Sequence, residues 1–301
     1  MKFATVKVNN ESKFVMTDEK GAAFLLLEEA AKKMNDSAVS IPTTLMECIQ
    51  EGESFVEKAE KLYQWSLSID DASLFIAEED LQWEAPIPRP AKNIFCVGKN
   101  YAEHAIELGS EADIPENIML FSKAPTTVIA HKSTIPNHQD VTDELDYEGE
   151  LAVVIGKKGR VIKREEALDY VFGYTIINDV TARDLQARHK QYLLGKSLDG
   201  TCPMGPYIVH KSVVANPNQL QIQTKVNDEV RQKSSTEQFI FPVEEIIAVI
   251  SKGMTLEPGD IIATGTPAGV GKGFNPPKFL HPGDTVEITV EKVGTLVNVI
   301  E

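Results

Sequence analysis

The feature that most limits how this chain can fold is a train of short β-prone runs beyond residue 92. They are NIFCVG, TVIAH, ELAVVIG, YTIIND, YIVH, LQIQTKVN, DIIATG, TVEITVE and LVNVI, separated by Gly, Pro and Asp turns. Short runs rich in Val, Ile, Thr and aromatics between turn formers read as strands. PGD recurs at 258–260 and 282–284, ahead of a strand each time. Pro presets the turn and Gly supplies positive φ. Two helices are expected, 101–108, capped by Asn100 and stopped near Gly109, and 242–252, begun by Pro242. This part is therefore β-rich with few helices, built as two packed sheets or a rolled barrel.

The front of the chain has another texture. KFATVKV reads as a strand, Asp18–Gly21 as a turn, and 23–34 and 52–66 as helices with Phe55, Ala59, Leu62 and Tyr63 at helical spacing. In APIPRPAKN, Pro86, Pro88 and Pro90 force extended backbone and remove donors. The expected organisation is a small N-terminal α/β domain over 1–85, a linker over 86–91 and the β-rich domain over 92–301.

The net charge of −15 argues against a nucleic-acid partner, whose phosphates need clustered Lys and Arg. Residues 1–90 hold 17 acidic and 9 basic residues, a solubilising face that could also dock a protein partner. No apolar run approaches the roughly 20 residues of a membrane span, and the N-terminus lacks a signal-peptide core, so a cytoplasmic protein is expected. Cys48, Cys96 and Cys202 form no CxxC pair and read as small buried hydrophobes.

The most informative segment is Asp146-Tyr-Glu-Gly-Glu-Leu-Ala-Val-Val-Ile155. In a strand, Glu148 and Glu150 share a face, about 7 Å apart, and continue an apolar row through Ala152 and Val154. Gly149 is expected to leave the opposite face open. Two acids so placed repel unless a cation sits between them, although a solvated strand end is the alternative for any single E-x-E. A third acid, Asp179, ends the run YTIIND, and three carboxylates make a hard oxygen site suited to Mg²⁺ or Mn²⁺. His104 and Glu107 are i, i+3 neighbours, a general-base pair or a surface ion pair. Lys196 sits in a Gly- and Pro-rich stretch, displayed for function or merely to solvent. TGTPAGVG lacks the GK[ST] of a nucleotide loop, but its backbone and Thr266 can hold a carboxylate.

Together GKNYAEHAIEL, LDYEGELAVVIG, GYTIINDVTARDLQ, KSLDGTCPMGPYIV, EPGDIIATGTPAGVG and HPGDTVEITVE resemble the fumarylacetoacetate hydrolase family, in family order from about residue 92 to the C-terminus. The resemblance implies an α+β, β-rich sandwich roll, a homodimer, and Mg²⁺ or Mn²⁺ held by Glu148, Glu150 and Asp179. It implies a lid carrying His104 and Glu107, and a substrate carboxylate bound by Lys99, Lys196 and Thr266. Lys123 and Gln186 look like further pocket groups, and Arg183 a brace for the metal loop. Leu198, Thr201 and Asp228 depart from the family pattern, the first two at positions expected to shape the pocket.

The function this implies is divalent-metal-dependent C–C cleavage of a small 2-oxo acid through a metal-stabilised enolate, with Lys196 assisting. Oxaloacetate decarboxylation leads, since a small cation-lined pocket suits a short diacid. Acylpyruvate hydrolysis, using water activated by His104 and Glu107, is the first alternative. Isomerisation or decarboxylation of unsaturated dioic acids is the second, and a non-catalytic metal-binding scaffold the third.

Overall fold

The computed structural model describes residues 1–18, 21, 23–69 and 71–301. The front of the chain forms β1 (Lys2–Val8), β2 (Glu11–Thr17) and β3 (Ala23–Leu26), then α1 (Leu27–Met34), α2 (Leu45–Glu51) and α3 (Glu53–Ser68), then β4 (Phe75–Ala77) and β5 (Gln82–Glu84). Past the prolines come β6 (Ile94–Gly98), α4 (Ala102–Glu107), β7 (Met119–Lys123), β8 (Val128–Ile129), β9 (Thr134–Ile135) and β10 (Leu145–Asp146). Next are β11 (Gly149–Ile155), β12 (Val171–Asn178), β13 (Thr181–Ala182), α5 (Arg183–His189), α6 (Leu193–Lys196) and β14 (Cys202–His210). The chain finishes with β15 (Gln221–Val226), β16 (Glu229–Ser235), α7 (Val243–Gly253), β17 (Ile261–Ala263), β18 (Thr285–Val290) and β19 (Gly294–Ile300).

Among the described residues the main sheet runs β4-β3-β2-β1-β14-β12-β11-β17-β6-β7, with β5 joined to β1 and β8 to β14. A five-stranded sheet, β16-β15-β18-β19-β9, covers part of one face. The main sheet stays open, with β4 and β7 at its ends, so the packed-sheet expectation holds and no barrel closes. The front strands share hydrogen bonds with the rest: Lys2 pairs with Val209 and Phe3 with Ile208 across β1 and β14. Asn9 and Asn10, both at positive φ, close the β1–β2 hairpin, a conformation asparagine tolerates.

Two apolar layers flank the main sheet. Leu151 and Val153 of β11 meet Ile222, Ile288 and Leu296 of the smaller sheet. Ala152 and Val154 point the other way, into the layer of Phe3, Phe14, Phe55 and Leu62 under α1–α3. β11 is thus buried throughout, which is why ELAVVI is nearly continuous apolar sequence. The three cysteines are buried and free, as expected. Burial pushes their thiols up, that of Cys202 to about 12.

Local expectations divide. The 52–66 helix is α3, and Pro242 does precede α7. Of 23–34, residues 23–26 are strand, since Phe24 and Leu25 pair with β4 and fill the sheet layers, and the helix begins at Leu27. Glu19 and Lys20 of the turn lie outside the described residues, while the Gly21 N–H donates to Asp18 Oδ1 at 3.2 Å. Asn100 does not cap α4. Its buried amide ties two loops together, donating to Phe241 O (3.1 Å) and Thr264 O (2.8 Å). No helix among the described residues is long and apolar enough to cross a membrane.

Candidate active site

β11 and β12 run antiparallel with Gly149 opposite Asn178, so Glu148, Glu150 and Asp179 meet at one end of the pair. The corner is fastened by Asp179 N–H to Glu148 O (2.8 Å) and Glu148 N–H to Asn178 Oδ1 (3.0 Å). All three carboxylates are buried, and each offers an oxygen such that these lie within 4.8 Å of one another. Oxygens on a small divalent cation at about 2.1 Å lie roughly 3.0 Å apart when adjacent and roughly 4.2 Å when opposed, so the cluster would draw in on binding one. Asp179 Oδ1 faces the buried Lys123 ammonium at 2.9 Å, and the three crowded acids offer oxygen donors alone. The set therefore fits a hard divalent cation. The far side of Gly149 is not open as expected: a Cβ there would overlap Thr224 Oγ1 and press on Ile288, because the smaller sheet packs against it.

Electrostatics distinguishes the three acids. Burial, then Asp179 and Glu148, pushes the Glu150 carboxyl well above its usual range. Its Oε2 accepts from Gly265 N–H at 2.7 Å. Gly265 sits at φ +102°, with no room for a side chain between Asn100 and Val97 O. Burial works the same way on Glu148, but Lys196 and Arg183 outweigh it and hold that carboxyl low. Lys196 Nζ lies 2.7 Å from Glu148 Oε2 and 2.8 Å from Asp179 Oδ2. Burial lowers the Lys196 ammonium's affinity for its proton, yet Asp179 and Glu148 raise it further. Lys196 ends α6 and is only 1% exposed, so it is no surface lysine.

Above this floor is a cavity of ≈ 220 Å³ lined by His104, Lys99, Gln186, Lys196 and Thr266, with Glu148 and Glu150 at its base. That is below the usual 300–1,000 Å³ of drug-sized pockets and suits a small ligand. His104 is buried with Nδ1 3.4 Å from Glu107 Oε2. Glu107 Oε1 accepts from Gly269 N–H at 2.8 Å and packs where Gly273 has no Cβ. The dyad is thus held by the glycine loop.

The remaining expected residues are placed unevenly. Lys99 is on the wall but pairs with Asp113 at 3.0 Å. Gln186 accepts from Arg183 Nη1 at 3.2 Å. Thr266 reaches the wall with its proton committed to Gly149 O (3.0 Å), while Gln232 Nε2 donates to it (2.7 Å). Lys123 does not line the cavity. It lies fully buried beneath the floor, 2.9 Å from Asp179 Oδ1, and donates to Val180 O and Lys196 O. Leu198 and Thr201 are also away from the wall, against expectation, because Thr201 turns its hydroxyl back to Leu198 O.

Asp146 is a further site residue, absent from the sequence-based set. Its carboxylate accepts from Gly271 N–H (2.7 Å), Lys272 N–H (3.0 Å) and Arg183 Nε (2.8 Å), while Arg183 Nη1 reaches Glu148 Oε1 at 2.7 Å. It couples the glycine loop to the floor, and its i, i+2, i+4 spacing with Glu148 and Glu150 was the available signal.

The family profile described as fumarylacetoacetate (FAA) hydrolase C-terminal matches residues 93–301. The chain belongs to the fumarylacetoacetate hydrolase family. It is 54% identical to oxaloacetate tautomerase YisK of Bacillus subtilis (strain 168), over 100% of both chains. Among solved structures it resembles a fumarylacetoacetate hydrolase from Exiguobacterium antarcticum at 37% identity and TM-score 0.82, covering 100% of this chain and 99% of that one. It also resembles a maleylpyruvate hydrolase from Sphingobium sp. SYK-6, in complex with manganese(II) and pyruvate, at 27% identity and TM-score 0.77, covering 100% and 98%. The fold class expected from the sequence agrees with these relatives.

Proposed function

We propose that this chain enolises a small 2-oxo acid, with oxaloacetate keto–enol tautomerisation as its leading reaction. The observation that carries the reading is the buried cluster of Glu148, Glu150 and Asp179, whose two glutamates form the base of a small cavity that His104 also lines. The full-length similarity to a protein named for oxaloacetate tautomerisation supports that substrate. Tautomerisation was not among the reactions expected from sequence, but it shares their enolising step.

Glu148, Glu150 and Asp179 would hold Mg²⁺ or Mn²⁺, which supplies a Lewis acid for the 2-oxo oxygen and its neighbouring carboxylate. His104, oriented by Glu107, takes a proton from C3 while the C–H electron pair becomes the C2–C3 double bond. The carbonyl π pair moves to the C2 oxygen, which a proton then converts to the enol. Lys196 lends positive charge beside that oxygen.

Decarboxylation of oxaloacetate is the second reading. There the C3–C4 pair moves instead and CO₂ departs, and Lys196 beside the floor favours it by the same charge. Both are tested with purified protein and added Mn²⁺ or Mg²⁺, following loss of enol absorbance and, separately, pyruvate. Metal-dependent acceleration of tautomerisation is expected, and acceleration of neither process would refute the proposal. The homodimer that the resemblance implies is tested by solution mass.

A further inference from the structure

The wall of the active cavity carries four Lys and Arg side chains: Lys99, Arg183, Lys196 and Lys272. Three already have carboxylate partners. Lys99 pairs with Asp113, Arg183 with Asp146 and Glu148, and Lys196 with Glu148 and Asp179. Among the described residues Lys272 is the one wall cation without an anionic partner. It stands on the short 3₁₀ turn Gly271–Gly273, exposed at the cavity mouth. Its base is fixed, since its N–H donates to Asp146 Oδ2 at 3.0 Å and Asp146 is tied through Arg183 to Glu148. The stem is therefore anchored relative to the floor while the ammonium stays free.

The whole protein carries a net charge of −15, a field that repels a dianion. A diacid can be retained only by local cations. One carboxylate and the 2-oxo group belong at the floor under the reading above. In a cavity of ≈ 220 Å³, the second carboxylate must then lie close to the wall. We infer that Lys272 receives this far carboxylate and so sets a preference for short 2-oxo diacids over 2-oxo monoacids. The inference rests on the floor being the seat of the 2-oxo acid head.

The test compares 3-sulfopyruvate, whose far anion cannot leave as CO₂, with 2-oxobutanoate, which has a methyl group there. Their dissociation constants are measured calorimetrically on Mn²⁺-loaded wild type, Lys272→Met and Lys272→Arg, with oxalate as a ligand that has no far group. Wild type should bind 3-sulfopyruvate about tenfold tighter than 2-oxobutanoate, ~1.4 kcal/mol. Lys272→Met should bring that ratio to about one with oxalate affinity unchanged, and Lys272→Arg should keep the preference. An unchanged ratio in Lys272→Met overturns the inference, as does equal weakening of all three ligands, which would mark a general or structural effect. Normal ligand binding without any turnover of oxaloacetate would refute the proposed reaction alone, leaving the ratio to decide on Lys272. Failure of oxalate to bind wild type would remove both.

Discussion

Acids crowd two regions of this molecule under opposite conditions. In the front segment Glu28 is shared by Lys13 and Lys32, Asp36 pairs with Lys61 at 2.8 Å, and Asp71 pairs with Lys33. These groups sit at the surface, and their lysine partners hold the carboxyls low, with Lys33 taking Asp71 to about 2. At the cavity floor the three acids are buried within reach of one another, and Glu150 is driven the other way. Count and sign do not separate the regions; solvent and the rigidity of the countercharges do. Water makes each front pair nearly dispensable, whereas at the floor each carboxylate depends on what lies between it and its neighbours.

The sharpest way to break this contrast is Asp179→Ala, which should abolish Mn²⁺ binding in a titration and lower turnover at least about a thousandfold. Glu150→Gln should show the other side of the same repulsion. The metal-free variant should melt a few degrees higher, by roughly 1 kcal/mol, while losing Mn²⁺ affinity. A lower melting point would mean that mutual repulsion is not what strains the floor. His104→Ala should reduce kcat about a hundredfold with Mn²⁺ affinity nearly intact. Loss of metal binding in that variant would refute its assignment as the proton carrier.

A buried imidazole supplies a pH test where the front segment meets β19. Burial, then Lys132, takes His131 down to about 4, where it meets Trp83 edge to face and accepts from Val297 N–H at 3.0 Å. The unfolded chain takes up this proton first, near pH 6.5. Stability should therefore be full above that pH and fall as pH drops toward 4, by about 2–3 kcal/mol from this group. Denaturant melts of His131→Gln should show a shallower slope over that window. The smallest effect belongs to the surface: Lys61→Ala should leave the denaturation midpoint almost unmoved, and even less moved in high salt.

Much of the fold is visible in the string because buried strands write continuous apolar runs, and β11 and β12 are of that kind. Front helices are less distinct: Phe24 and Leu25 satisfy a helical pattern yet pair as strand, since an edge of sheet was available to them. Glu148, Glu150 and Asp179 could be read as a set because alternation and a strand end fix two of them locally. Lys196 and Lys123 were named from loop composition and the family resemblance, but their settings, like that of Asn100, were not legible locally. Their settings come from contacts far along the chain, such as Asn100 with Thr264 and Lys123 with Val180. Thr266 was legible as a position but not in the direction its hydroxyl faces.

The shared edge between β1 and β14 reaches beyond the architecture. Shortening the protein at its prolines would strip β1 away and bare a row of peptide groups along β14 at Ile208 and Val209. Such a rim recruits whatever extended chain it meets. A truncated protein would therefore be prone to clump even with every residue of its reaction chamber intact.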